Sequence, residues 1–192
     1  MKKFDIIYAD PSWPYRDKLK HLWAWAENHY PVMKIWDIAS LWISKMANND
    51  SILCMWATMP LLEEALLVIR EWGFKYKTCL ITWVKTYPVQ TDKFVLWMWY
   101  YSRSNIEICL LATKGKGLPV LNHSTSQLLI SPRRSHSQKP DWARDIIETI
   151  FWKRRRIELF WRNRTKWWKV VGNEIDGVTI EDFIKQNYDN TK

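Results

Sequence analysis

Asp10-Pro11-Ser12-Trp13 stands where a short apolar run, Phe4-Asp5-Ile6-Ile7-Tyr8-Ala9, comes to its end. An acid followed by proline places a carboxylate beside a peptide carbonyl whose direction the rigid ring restricts, so two hydrogen-bond acceptors can converge on one point. Trp13 adds an aromatic face. Such a set suits an amino group carried on an aromatic ring, with both hydrogens accepted and the ring stacked. The exocyclic amine of a nucleobase has these properties. Its nitrogen is a poor nucleophile because the lone pair is delocalised into the ring. Accepting both hydrogens favours a pyramidal nitrogen with a localised lone pair, and methyl transfer becomes feasible. The same four letters also describe a proline turn capped by Asp10 with Trp13 packed on a sheet edge, and the motif alone does not separate the two.

The elements that must hold such a site are legible as apolar runs of strand length at Phe4–Ala9, Ser51–Ala57, Thr78–Val84, Ile106–Thr113, Gln127–Ser131 and Ile157–Phe160. Several are too uniformly apolar to be half-exposed, which predicts a buried, parallel sheet. Helical patterns intervene at Ile35–Met46, at Pro60–Trp72 with Gly73 as a stop, and at Asp141–Phe151 after Lys139-Pro140. The alternation predicts an α/β fold built from βαβ units, and 192 residues suit one domain over 1–192. Irregular stretches at Pro11–Lys34, Thr86–Asn105 and Lys114–Ser126 each follow a strand, where an open α/β sheet binds its ligands. The polar residues Gln186–Lys192 are expected to fray.

Lysine and arginine outnumber the acids 29 to 20, a net charge of +9, which points to a polyanionic partner, nucleic acid first. From Lys153 to Lys169, basic residues with Trp161, Trp167 and Trp168 interleaved suit a nucleic-acid groove, and Arg133 and Arg134 extend the same reasoning. No apolar stretch reaches the roughly 18 to 20 residues of a membrane span, so a cytoplasmic protein is expected. Cys54, Cys79 and Cys109 lack metal-ligand spacing and are expected to be reduced core residues. No G-x-G-x-x-G is present, which disfavours a dinucleotide site.

The opening motif resembles the D-P-P-W signature of β-class, amino-group-modifying methyltransferases. Seven further blocks follow it in order: AENHYPVM (26–33), WGFKYKT (72–78), WVKT (83–86), RSNIEICLLATKGK (103–116), PRRSHSQKPD (132–141), IELF (157–160) and VGNE (171–174). Together they are similar to the messenger-RNA adenosine methyltransferase (MT-A) family, in particular its bacterial and phage members, over about Phe4 to Glu174. The resemblance implies a single-domain Rossmann-like fold with a mostly parallel central sheet and flanking helices, S-adenosylmethionine as methyl donor, no metal, and adenine N6 in DNA or RNA as acceptor, DNA preferred. It implies that Asp10 and the Pro11 carbonyl hold the amine, with Ser12 and Trp13 completing the motif. It implies cofactor contacts from Asp10, Lys139, Glu158, Arg162, Asn173 and Glu174. Asn28, His29 and Tyr30, with Arg103, Ser104 and Asn105, are expected to flank the acceptor pocket, and neither His29 nor His136 is required as a base.

Two departures stand out. Ser12 replaces the second proline, freeing a φ angle and restoring an N–H in a motif whose value is rigidity. The chain also holds 15 tryptophans and only 5 glycines. Trp23, Trp25, Trp97, Trp99, Trp161 and Trp167 fall where the family resemblance implies glycine, as if a stop codon reassigned to glycine had been translated as tryptophan.

Overall fold

A computed structural model of the protein describes residues 2–14, 33–96, 101–134, 138–152, 154–161, 163–172, 175 and 177–189. Seven strands, β1 (Phe4–Ala9), β2 (Ala47–Ala57), β3 (Lys75–Thr86), β4 (Ile106–Lys114), β5 (Leu128–Pro132), β6 (Arg156–Leu159) and β7 (Lys169–Val171), form one sheet in the order β5-β3-β4-β2-β1-β6-β7. Helices α1 (Ile35–Ala39), α2 (Leu62–Glu71), α3 (Trp142–Phe151) and α4 (Ile180–Tyr188) flank it. The expected α/β architecture is present, with all six anticipated strands.

The sheet is mostly parallel, as expected. β4 pairs antiparallel with both β2 and β3, while β1 with β2, β1 with β6, β6 with β7 and β3 with β5 are parallel. Every strand except β4 therefore ends at the same rim. This corrects one expectation: the stretch Lys114–Ser126 leaves the carboxyl end of β4, so it starts at the rim opposite Asp10. Arg103, Ser104 and Asn105, which lead into β4, stand at the rim of Asp10.

Both faces of the sheet are buried, and the period-2 alternation of strand side chains sorts them. Ile7 and Ala9 of β1, Leu53 and Met55 of β2, and Ile157 and Leu159 of β6 belong to one apolar cluster with α1, α2 and α4. Ile6 and Tyr8, Cys54 and Trp56, Ile81 and Trp83, and Cys109 belong to a second cluster covered by Ala143, Ile147, Ile150 and Phe151 of α3. All three cysteines are free thiols, Cys54 and Cys109 buried and Cys79 half-buried.

Two elements lie beyond the sequence-based expectation. β7 is three residues long, too short for periodicity to reveal. α4 occupies part of the supposed tail: the Thr179 hydroxyl accepts the Asp182 N–H at 3.0 Å as an N-cap, and Ile180, Phe183 and Ile184 are buried. Gln186–Tyr188 are accordingly helical, with the Tyr188 ring against Phe183. Among the described residues no helix is long and apolar enough to cross a membrane.

Candidate active site

The same alternation aims a row of charges at the α3 face. In β1, Asp10 follows Ile6 and Tyr8; in β4, Glu107 precedes Cys109; in β3, Lys85 follows Ile81 and Trp83; in β6, Glu158 lies between two residues of the other face. All four stand at the rim where the parallel strands end. α3 and the chain leading into it supply cations to meet them.

Lys139 immediately precedes Pro140, which restricts the lysine backbone to extended conformations just before the helix. Its buried ammonium donates to Asp10 Oδ2 at 2.8 Å and lies 3.2 Å from Glu107 Oε2. Between these acids it sits over the Trp56 ring, 5.7 Å from the centroid, bridging β4 to β1 across β2. Lys85 pairs with the other oxygen of Glu107, so the row reads Lys85, Glu107, Lys139, Asp10. Burial raises the Asp10 pKa above its ordinary value, with Lys139 opposing the rise. Burial pushes Glu107 the same way, but Lys139 and Lys85 outweigh it and the net shift is downward. Desolvation works against the Lys139 charge, yet the two carboxylates prevail and hold it firmly protonated.

The opening motif is anchored at every residue. The Asp10 N–H reaches the Leu159 carbonyl at 3.4 Å, extending the β1–β6 ladder by one residue until Pro11, with no N–H, ends it. The Pro11 carbonyl accepts the Trp13 N–H at 2.8 Å, and a carbonyl has a second lone pair for another donor. The Ser12 carbonyl accepts the Met33 N–H at 3.1 Å. Trp13 is buried, and its indole N–H donates to the Trp56 carbonyl at 2.9 Å. Trp56 in turn donates to the Tyr8 hydroxyl at 2.6 Å, inside the sheet–α3 layer.

A second charge cluster lies beside the first. Arg144 of α3 reaches Glu158 through Nη2 at 2.8 Å and through Nε at 3.0 and 3.2 Å, and Thr165 Oγ1 lies 3.2 Å from Glu158 Oε2. Arg144 Nη1 also donates to Asp141 at 2.8 Å, and the guanidinium lies 4.4 Å from the centre of the Trp161 ring. Burial raises the pKa of Glu158, with Arg144 working against the rise.

This geometry, a carboxylate at the end of the first strand facing a lysine ahead of α3, comes from a chain whose similarities to known proteins agree. The MT-A70 family model matches residues 4–174. The type II methyltransferase M.MunI from a Mycoplasma species is 32% identical over 208 residues, covering 100% of this chain and 86% of its own length. The chain belongs to the MT-A70 family. Other relatives are an N(6)-adenosine-methyltransferase MT-A70-like protein of Drosophila melanogaster, 27% identical over 94% of this chain, and the human N(6)-adenosine-methyltransferase catalytic subunit METTL3, also 27% over 94%. The chain spans 28% and 30% of those two proteins.

For this MT-A70 member the structure brings together Asp10, Pro11 and Lys139 and sets Glu158 next to them. Arg133 lies over the Tyr87 ring at 5.8 Å, and Arg134 pairs with Asp141. Arg103 is exposed, Ser104 and Asn105 are half-buried, and the Asn105 carbonyl accepts the Lys85 N–H at 3.0 Å. Asn28, His29, Tyr30, His136, Arg162, Asn173 and Glu174 lie outside the described residues, as do Trp23, Trp25, Trp97 and Trp99. The described basic residues between Lys153 and Lys169 do not form one continuous stripe. Arg154 and Arg155 precede β6 at the rim opposite Asp10, and Arg156 is buried, 3.1 Å from Glu148 and over the Trp168 ring.

Glu107, Lys85 and Arg144 were not singled out from the sequence. An acid inside the apolar run Ile106–Thr113 was the available signal for Glu107, since a carboxylate in a buried strand requires a partner. Arg144 gave none beyond a cation on the inward face of an amphipathic helix.

Proposed function

We propose that this chain transfers a methyl group from S-adenosylmethionine to N6 of adenine in nucleic acid, with DNA as the polymer. Membership of the MT-A70 family supports methyl transfer to an adenine amine. The relative that matches the chain nearly end to end is a type II methyltransferase, which favours DNA. The observation carrying the reading is the placement of Asp10 and Pro11. Asp10 Oδ1 has no hydrogen bond among the described residues, while Oδ2 is held by Lys139.

The residues at this rim fit a small polar cofactor. Thr58, one residue past β2, has a buried hydroxyl with no partner among the described residues, which offers a hydrogen bond to a bound molecule. Lys139 can share its ammonium with the methionyl carboxylate, and Arg162, Asn173 and Glu174 are proposed for the remaining cofactor contacts. Glu158, with its carboxylate occupied by Arg144 and Thr165, serves that site by fixing Arg144 at the end of β6. When bound, S-adenosylmethionine supplies a methyl group activated by a positively charged sulfur. Asp10 Oδ1 and the Pro11 carbonyl accept the two N6 hydrogens and localise the lone pair on nitrogen. The same carboxylate stabilises the positive charge that grows on nitrogen and is placed to take the proton afterwards. With duplex DNA the adenine must leave the stack, at about a few kcal/mol that phosphate contacts offset.

Methyl transfer from labelled cofactor to DNA and to RNA, followed by nucleoside analysis, tests this. Label in N6-methyladenine from DNA is expected. Label in cytosine, or in no polymer, overturns it. A second reading, a catalytically impaired nucleic-acid binder, is favoured by Ser12 and by Trp161, whose indole is packed against Arg144 just past β6. Calorimetric titration with S-adenosylmethionine separates the two, since saturable binding supports the enzyme and its absence the binder.

A further inference from the structure

We infer that Trp152 and Trp167 occupy backbone positions built for glycine, and that the protein made in its source carries glycine at both. The observation is conformational and independent of the proposed activity. Among the described residues seven have positive φ: Gly73, Gly115, Gly117, Gly177, Trp152, Phe160 and Trp167. Glycine populates this half of the map freely, whereas a Cβ makes it costly and a bulky side chain makes it an outlier. Two of the three non-glycine cases are tryptophan.

Each has a turn that explains the requirement. Trp152 follows the last turn of α3 with φ 56° and ψ −171°, and its N–H donates to the Glu148 carbonyl at 2.8 Å. Helices commonly end on a residue of positive φ, usually glycine, and a ψ near 180° there borders a region essentially confined to glycine. Trp167 is the third residue of the turn Thr165-Lys166-Trp167-Trp168, closed by the Trp168 N–H on the Thr165 carbonyl at 3.2 Å. With φ 69° at Trp167 and no positive φ at Lys166, this is the type II pattern, whose third position calls for glycine.

The side chains do not compensate for the strain, although exposure by itself marks no glycine position, since Trp36, Trp42 and Trp142 are 69%, 60% and 63% exposed at ordinary φ. Trp13, Trp56, Trp72, Trp83 and Trp168 are buried, and each donates its indole N–H to a protein oxygen. Trp152 and Trp167 are 60% and 76% exposed. No core is gained in return for the backbone strain. The supply of true glycine is also short: four of the five have positive φ, and the fifth, Gly172, stands where a Cβ would lie 2.4 Å from the Trp161 carbonyl oxygen. Trp161, buried and of ordinary φ, does not share this evidence, whereas Trp152 adds a position to those inferred from family resemblance. Translation of a stop codon that the source reads as glycine accounts for both residues.

Two measurements test the inference. Reading the gene is expected to show UGA at positions 152 and 167, with glycine in the corresponding peptides of protein purified from the source; UGG at either position overturns it. Separately, the Trp152→Gly/Trp167→Gly variant is expected to raise the melting temperature by roughly 3–8 °C, because relief of positive-φ strain at two sites exceeds the entropy cost of glycine. The Ala/Ala variant removes the indoles but keeps the strained φ, and should recover less than half of that gain. An unchanged or lower melting temperature for Gly/Gly, or an equal gain for Ala/Ala, overturns the claim that the backbone is built for glycine.

Discussion

Two charge clusters stand side by side on the α3 face, each joining an acid from a strand to a cation from the approach to α3 or its first turn. At Glu158 the partner is an arginine, whose planar fork reaches both carboxylate oxygens, and Thr165 takes a further contact. Little capacity is left for a ligand. At Asp10 the partner is a lysine, a compact charge shared with Glu107, and one carboxylate oxygen stays open among the described residues. The lesson is that the choice between Arg and Lys separates a carboxylate whose two oxygens are both occupied from one that keeps an oxygen open, as the proposed function requires.

Breaking the open cluster at its acid should have the largest effect. Asp10→Asn is expected to lower kcat for methyl transfer on the order of 10³-fold, about 4 kcal/mol, with the melting temperature little changed. If rate is retained and stability collapses, the roles of the two clusters are reversed. The closed cluster should fail in the other currency. Arg144→Met leaves Glu158 buried without its charge partner and should cost about 3–5 kcal/mol in denaturant unfolding, whereas Arg144→Met/Glu158→Leu should recover most of that loss.

Smaller effects sharpen the contrast through pH. In the proposed reaction Asp10 must be ionised to accept hydrogens, and burial raises its pKa, so the acid limb of kcat/KM should lie above the ordinary aspartate value of about 3.9. Lys139→Met removes the main cause opposing that rise: the limb should move to higher pH, with kcat/KM down roughly 10- to 100-fold. Glu107→Gln removes a negative charge that raises the Asp10 pKa: the limb should move to lower pH, with less than about a tenfold loss. Opposite displacements by the two variants are the signature of one connected row, and displacements in the same direction would refute it.

Much of the fold was legible because its strands are buried on both faces and its helices carry clear stops, as at Gly73. Direction was not, because the run Ile106–Thr113 looks the same whichever way β4 is threaded, and that direction decides which rim its loops reach. Asp10 and Lys139 could be named as candidates through motif resemblance. Glu107 could not, because its importance comes from sharing a sheet face with Asp10 across β2, a relation that only strand order reveals. β7 and α4 escaped for different reasons: one is three residues long, and the other hides its apolar contacts, Ile180, Phe183 and Ile184, in an otherwise polar segment.

The clasp between the Ser12 carbonyl and the Met33 amide has a consequence for how such a protein diversifies. Because main-chain atoms make it, it survives any side chain at either position, and it joins the exit and return of the intervening segment at one point. Lengthening the chain between them costs only about 0.6 kcal/mol per doubling and need not displace β1. Insertions and deletions between residues 12 and 33 can thus accumulate without disturbing the strand behind the clasp.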